Sequence, residues 1–223
     1  MKLAKEVHLG QSSRAMYLPK TFEETNLTRI REFIEAHAFG MLIVPDRSGG
    51  VEIAHLPFLP DWRAGARGVL RAHVARANPI WRLAEDGRPA TVVFSGPHGY
   101  VSPRWYEYPL EHVPTWNYMA VHASGSIVAP SDRLTSSVID ELSAFHEGSA
   151  PDAWRMSGLR ESLREELLAA IVGLDVSIDR LEAKFKLSQN RSSEDRVRVL
   201  RALDSRGTSD DLEMAKGMKR GLT

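Results

Sequence analysis

The chain has 223 residues, 43% hydrophobic and 26% charged, with 29 basic and 29 acidic side chains and a formal net charge of zero. It is long enough to bury a core in one large domain, or in a domain with a helical appendage; charge is also balanced locally, 15 basic against 16 acidic residues up to Ala150 and 14 against 13 beyond it, so no basic half advertises nucleic acid. Cysteine is absent, which excludes disulfides, thiolate metal sites and a cysteine nucleophile and suits a reducing compartment.

The opening MKLAKEVHLGQSSRA lacks an apolar signal core, so residues 1–15 are expected to form a flexible extension. In TNLTRIREFIEAH, Thr25 or Asn26 can cap a helix whose Leu27, Ile30, Phe33 and Ile34 fall on one face. FGMLIV, VEIAHLPFL, VLRAHVA, ATVVFSG and WNYMAVHASGSIVA then follow as β-rich runs, separated by turn signals such as DRSGG and WRAGARG. Short strands at this spacing predict an antiparallel barrel or sandwich rather than βαβ units. Between the third and fourth runs, Asn78-Pro79 is expected to start a helix over IWRLAEDG. A second helix is expected from Ser131 or Asp132 through SDRLTSSVIDELSAFHE, and a third over about Leu159 to Val172. The longest apolar runs, such as MLIV at 41–44, fall far short of the roughly 20 residues a membrane helix needs; the expected location is the cytoplasm.

In LDVSIDRLEAKFKLSQN, Leu174, Val176 and Ile178 alternate with one parity and Leu181, Ala183, Phe185 and Leu187 with the other. A β-bulge near Asp179 and Arg180 would produce that slip, leaving Glu182, Lys184, Lys186 and Ser188 on one side of the strand. SSED at 192–195 then reads as a capping box opening RVRVLRAL, and TSDD at 208–211 as the cap of a last helix.

No phosphate-binding P-loop, dinucleotide fingerprint, H-E-x-x-H or G-x-S-x-G motif occurs. What recurs is a set of anion-binding and stacking residues at strand ends: His55 in AHLPF, His73 and Arg76 in HVARANPIW, GYVSPRWY at 99–106, PTWNY at 114–118 and KFKLSQNR at 184–191. Together they could hold a planar aromatic ligand that carries a phosphate. Each also has a plainer reading. Asn-Pro is a common helix start, the Trp-Tyr segments can be core or turn packing, and Lys184 and Lys186 can be a solvated strand face. His55 and His73 can be structural histidines, and with no third ligand at recognisable spacing they imply no metal site.

The composite motifs MYLPKTF, AHLPF, LRAHVARANPIW, FSGPHGYVSPRWY, VPTWNY, IVG and KFKLSQNR stand in the order of the PaiB family of FMN-binding negative transcriptional regulators. The chain resembles that family from Met16 to beyond Arg191. The resemblance implies an α+β fold, a split β-barrel of the pyridoxamine-phosphate-oxidase type with flanking helices, over residues 16–191, with a helical segment over 192–223 packed on it. It also implies a homodimer with FMN at the subunit interface. The FMN phosphate would be gripped at His73, Arg76 and Asn78, and the rest of the cofactor would lie near His55, Tyr100, Ser102, Trp105, Trp116, Asn117, Lys186, Ser188 and Gln189. Ala72 and Ile80 stand where many relatives carry Gly and Gln; neither change removes a charge from the site.

No catalytic residue is assigned. A regulatory protein acting through flavin or a partner is the first reading, a flavin-dependent oxidoreductase on a small substrate the alternative, and a haem-binding or haem-degrading split barrel the third. Direct DNA binding lacks both a helix-turn-helix and a basic stripe, although DRVRVLRAL carries several arginines.

Overall fold

The computed structural model describes residues 16–128 and 132–220; the expected extension at 1–15 and a cap at Ser131 lie outside the described residues. After a 3-10 turn at Lys20–Phe22 and a two-residue strand β1 (Glu23–Glu24), Asn26 caps helix α1 (Leu27–Ala36), its side chain accepting from the Thr28 and Arg29 amides at 3.0 and 3.2 Å. Ile30, Phe33 and Ile34 are buried as their spacing predicts, but Leu27, on the first turn, stays exposed.

The strands are β2 (Phe39–Pro45), β3 (Val51–Pro57), β4 (Leu59–Asp61), β5 (Val69–Ala75), β6 (Pro89–Val101), β7 (Thr115–Val128) and β8 (Ile171–Lys186). They form one antiparallel sheet of eight strands in the order β3-β2-β6-β7-β8-β5-β4, with β1 added beside β8. Apolar residues at alternate positions, among them Leu42, Val44, Leu70, Val92, Phe94, Val121, Leu174 and Val176, face inward and are almost fully buried. The path ends at β3 and β4, which are consecutive in the chain, and β3 packs against β5 without a ladder between them. The sheet therefore curls into a split barrel, open along that seam.

The slip in β8 is real. Its pairing with β7 passes from Ser124 opposite Arg180 to Gly125 opposite Ile178, leaving Asp179 unpaired. Gly125 is required there, because a Cβ would sit 1.7 Å from the Ser177 carbonyl oxygen. Val172, Leu174, Val176 and Ile178 before the bulge, and Ala183, Phe185 and Leu187 after it, all point to the core.

Helix α2 (Asp132–Glu147) covers the outer side of β5 and β8, and α3 (Glu161–Ala169) precedes β8. The third helix is thus shorter than its expected span, since Ile171 and Val172 already belong to the strand. The segment after Asn78 is a 3-10 helix, Pro79–Asp86, rather than an α-helix. Helices α4 (Ser193–Arg206) and α5 (Ser209–Arg220) form a corner that packs on β6. Ser192 caps α4 by accepting from the Asp195 amide at 3.1 Å, but the Asp195 carboxylate turns away to accept from the Glu107 amide at 2.8 Å. Thr208 and Asp211 at α5 make the full reciprocal box, at 3.2 and 3.3 Å.

Candidate functional site

The strand-to-helix turn at residues 73–80 is built locally as its sequence requires. Asn78 Oδ1 accepts from the Ile80 amide at 3.0 Å, Pro79 starts the 3-10 helix, and Trp81 Nε1 donates to the Arg76 carbonyl at 3.0 Å. Arg76, however, reaches back across the sheet. Its Nε donates to the Ala169 carbonyl at 2.6 Å and its Nη2 to the Ile171 carbonyl at 3.0 Å, tying the end of α3 to the start of β8. The guanidinium borders a cavity of about 310 Å³ with Thr135, Leu168 and Ala169. His73, on the outer face of β5, opens on a second cavity of about 330 Å³ lined by Pro57, Ile139, Leu142 and Trp154. Its Nδ1 is buried without a hydrogen bond, and burial pushes its pKa down, which favours a neutral ring. His55, two residues before Pro57, is exposed beside Phe39, ring centroids 6.5 Å apart.

The remaining predicted residues gather where the β6–β7 hairpin meets the end of β8. Trp116 is 54% exposed and lies between His98 and Tyr100, with centroids at 6.3 and 6.2 Å. Asn117, 1% exposed, donates from Nδ2 to Ser188 Oγ at 2.9 Å, while its Oδ1 has no partner. Ser188 adopts a left-handed φ of 66° that turns the chain away from the strand. Gln189 folds back over this turn, accepting from the Leu187 amide at 2.6 Å and donating to the Phe185 carbonyl. Lys186 Nζ donates to Thr115 Oγ1 and to the Trp116 carbonyl at 2.6 Å. Burial pushes the Lys186 ammonium below its ordinary pKa, and the charges of Lys184 and Arg191 act in the same direction. Ser102 and Trp105 are in structural use. The first caps the 3-10 turn Pro103–Trp105, accepting from the Arg104 amide at 3.3 Å, and the second lies 5.2 Å beneath the Arg206 guanidinium.

The twelve expected residues thus fall into two groups, His55, His73, Arg76 and Asn78 near the barrel seam and the other eight near the hairpin end. One strand measures the gap. His73 is opposite Gly173 on β8, Tyr118 is opposite Lys186, and thirteen residues of β8 separate those two rows. That is roughly 40 Å of contour along the strand.

Three features escaped the sequence reading. Lys184 is 8% exposed rather than solvated. Tyr17 and Tyr118 enclose its ammonium, with ring centroids at 5.2 and 5.4 Å. Finally, one transverse row on the outer sheet face runs His55, Met41, Val93, His122, Glu182 across five strands. His122 Nδ1 is buried without a hydrogen bond; burial lowers its pKa and Glu182 opposes that. The shared parity of Glu182, Lys184 and Lys186 was the available signal for the row's charged edge.

The chemistry of the donor set suits a phosphorylated planar ring: cations and neutral donors in both groups, and an exposed indole flanked by two further rings. The sequence profile described as "Putative FMN-binding domain" matches residues 16–180. Over 210 residues the chain is 34% identical to "Protease synthase and sporulation protein PAI 2" of Bacillus subtilis, covering 93% of this chain and 98% of that one. Among solved structures, the FAD and heme binding protein of Mycobacterium smegmatis is similar with a TM-score of 0.58 at 19% identity, covering 78% of each chain. The flavocytochrome Anf3 of Azotobacter vinelandii gives 0.54 at 14% identity, covering 79% of this chain and 75% of that one. At such identities these two structures establish a common fold.

Proposed function

Because this chain belongs to the PaiB-like family described as an FMN-binding domain, we propose that it works as a homodimer with FMN between its subunits and represses transcription through flavin state or a partner protein. The observation that carries the shared site is the separation of the two residue groups along β8. In this reading a single FMN meets both groups because one comes from each subunit. A suitable face for pairing exists: Phe39, Val51 and Ile53 are exposed on the outer side of β2 and β3, continuous with Met41, Ile43 and Val93. His73, Arg76 and Asn78 would hold the phosphate, and Trp116 with Lys186 the ring. FMN, when bound, would supply the electron transfer.

A partner protein is the favoured route to transcription, since zero net charge gives DNA little electrostatic reason to bind. The second reading, an oxidoreductase on a small substrate, is supported by Lys186, a partly buried cation suited to the electron-rich edge of a reduced flavin. An absorbance spectrum with identification of the released cofactor tests FMN. Reduction of bound flavin by NADH or NADPH, followed by transfer to an acceptor, would establish turnover. For regulation, a variant that cannot hold FMN should lose repression of a reporter; repression unchanged by cofactor loss would refute the flavin-state route.

A further inference from the structure

Helices α1 and α5 face each other across a cavity of about 310 Å³ beside Pro97, where β6 slips its register, and none of the twelve expected flavin residues lines it. The α5 wall lies beyond residue 180, where the match to the FMN-binding profile ends. Each helix turns one stripe toward the space, Arg29, Glu32 and Ala36 on α1 and Glu213, Lys216 and Gly217 on α5. Facing helices commonly interlock apolar side chains; these stripes are small or charged, and the space between them has an apolar floor. Phe33 and Phe185 form that floor with Met119, their two buried rings 5.2 Å apart and tilted by 46°. Gly217 lets α5 sit low over it, since a Cβ there would meet Leu187 Cδ1 at 3.1 Å and Met119 Sδ at 3.4 Å. His37 adds a third ring, its centroid 4.5 Å from that of Phe33. Burial pushes the His37 pKa down, against Glu213 and Asp210, which favours a neutral imidazole.

The rim carries both signs of charge. Arg29 Nη1 pairs with Glu24 Oε2 at 2.8 Å, which holds the guanidinium over the Phe185 ring, 5.8 Å from its centroid. Glu32, one turn further along α1, pairs with Arg220 of α5 at 3.9 Å rather than with Arg29, and Glu213 pairs with Lys216 at 2.6 Å. The last two pairs are solvent-exposed and hold little energy, so a ligand can displace them at small cost. A purely anionic ligand would meet Glu32 and Glu213, and a purely cationic one Arg29 and Lys216. A head group with both charges on neighbouring atoms meets each with its opposite. Arg29 offers a planar fork to a carboxylate, and Glu32, its neighbour on the helix face, accepts from an ammonium. Small-molecule sites begin at about 300 Å³, so the cavity suits a single ring, and a floor of two phenylalanines and a thioether suits an aromatic one.

We propose that the cavity between α1 and α5 binds a free aromatic α-amino acid, with its ring against Phe33 and Phe185, its carboxylate at Arg29 and its ammonium at Glu32. The site does not depend on the flavin reading, so the full-length protein is tested both flavin-free and FMN-loaded. Calorimetric titration with L-phenylalanine should show the same binding in the two forms. 3-Phenylpropionate, which lacks the ammonium, and phenethylamine, which lacks the carboxylate, should each bind about tenfold more weakly or worse, the effect of losing one charge-assisted hydrogen bond. L-Alanine, which lacks the ring, should not bind. Glu32→Gln should weaken phenylalanine by about tenfold without weakening 3-phenylpropionate, a split that a general disturbance of the helix would not produce. Ala36→Trp, at an exposed position, fills the space and should abolish phenylalanine binding. No binding of phenylalanine, equal binding of either analogue, binding lost on FMN loading, or binding indifferent to both variants overturns the proposal.

Discussion

Arg76 shows how one side chain can serve fold and ligand together. A guanidinium carries five N–H donors, and only Nε and Nη2 are spent, on the Ala169 and Ile171 carbonyls. The charge and the remaining donors stay available to a phosphate at the turn. Arg76→Ala should therefore do two things: lower stability by about 1–2 kcal/mol, through loss of hydrogen bonds to two carbonyls, and weaken FMN by about 10- to 100-fold. Riboflavin, which lacks the phosphate, should be affected much less. Equal weakening of the two flavins in a folded variant would reduce Arg76 to a structural residue. Lys186 is the second single-residue case. It is held at fixed acceptors by Thr115 and Trp116, so its charge is positioned rather than mobile. In the proposed dimer that charge lies beside the ring and favours the reduced form, so Lys186→Met should lower the reduction potential of bound FMN in a spectroelectrochemical titration. An unchanged potential in a well-folded, FMN-loaded variant would place the lysine away from the ring.

Among the elements, β8 and the α4–α5 corner show what is written locally and what is not. The bulge at Asp179 could be read from parity alone, because inward positions must stay apolar and an extra residue reverses their phase. Caps at Asn26, Asn78 and Ser192 were equally local, each needing only a side-chain oxygen before the first free amides. The 3-10 form of the segment after Asn78 could not be read, since its Asn-Pro start serves either helix type. Nor could the spread of the site: the motifs are contiguous in sequence, but which of them meet depends on strand order, and that order sends β5 and the hairpin end to opposite stretches of β8. Nor could the neighbour of Trp105 be read from its motif, since tertiary packing brings Arg206 over the ring. That arginine donates from Nε to Asp211 Oδ2 at 2.7 Å and from Nη1 to the Tyr100 carbonyl at 3.1 Å, clamping the corner to the hairpin. Its hydrogen bonds, with help from Thr208, hold the buried Asp211 carboxyl at about 2, against an ordinary 3.8. A depressed carboxylate stabilises the fold above its unfolded pKa, and the stabilisation drains away as pH falls through the folded one. The clamp should thus contribute about 2 kcal/mol at neutral pH and fade between about pH 4 and pH 2. Asp211→Asn should lower the melting temperature at pH 7 and narrow its gap from wild type over that acid window. A gap that stayed constant down to pH 2 would show that the ionised pair is not what holds the corner.

For the whole molecule, the decisive question is whether one FMN draws on two chains. Ile53, 50% exposed in the single chain, lies on the outer face of β3, where a charge should barely disturb the monomer but would be buried unpaired in a dimer across this face. Ile53→Glu should therefore give a folded monomer by light scattering, with FMN lost. A monomer with full FMN occupancy would place the site within one subunit. Subunit mixing makes the same point without breaking the interface. Arg76→Ala damages the phosphate end and Trp116→Ala the ring end, and Trp116 is exposed enough for its removal to spare the fold. If each site draws its phosphate end from one chain and its ring end from the other, a mixed dimer concentrates both defects in one site and leaves the other whole. Random exchange makes half the dimers mixed, so about a quarter of all sites should recover wild-type FMN affinity. If each site lay within a single chain, every site in every dimer would carry one defect, and mixing would restore none.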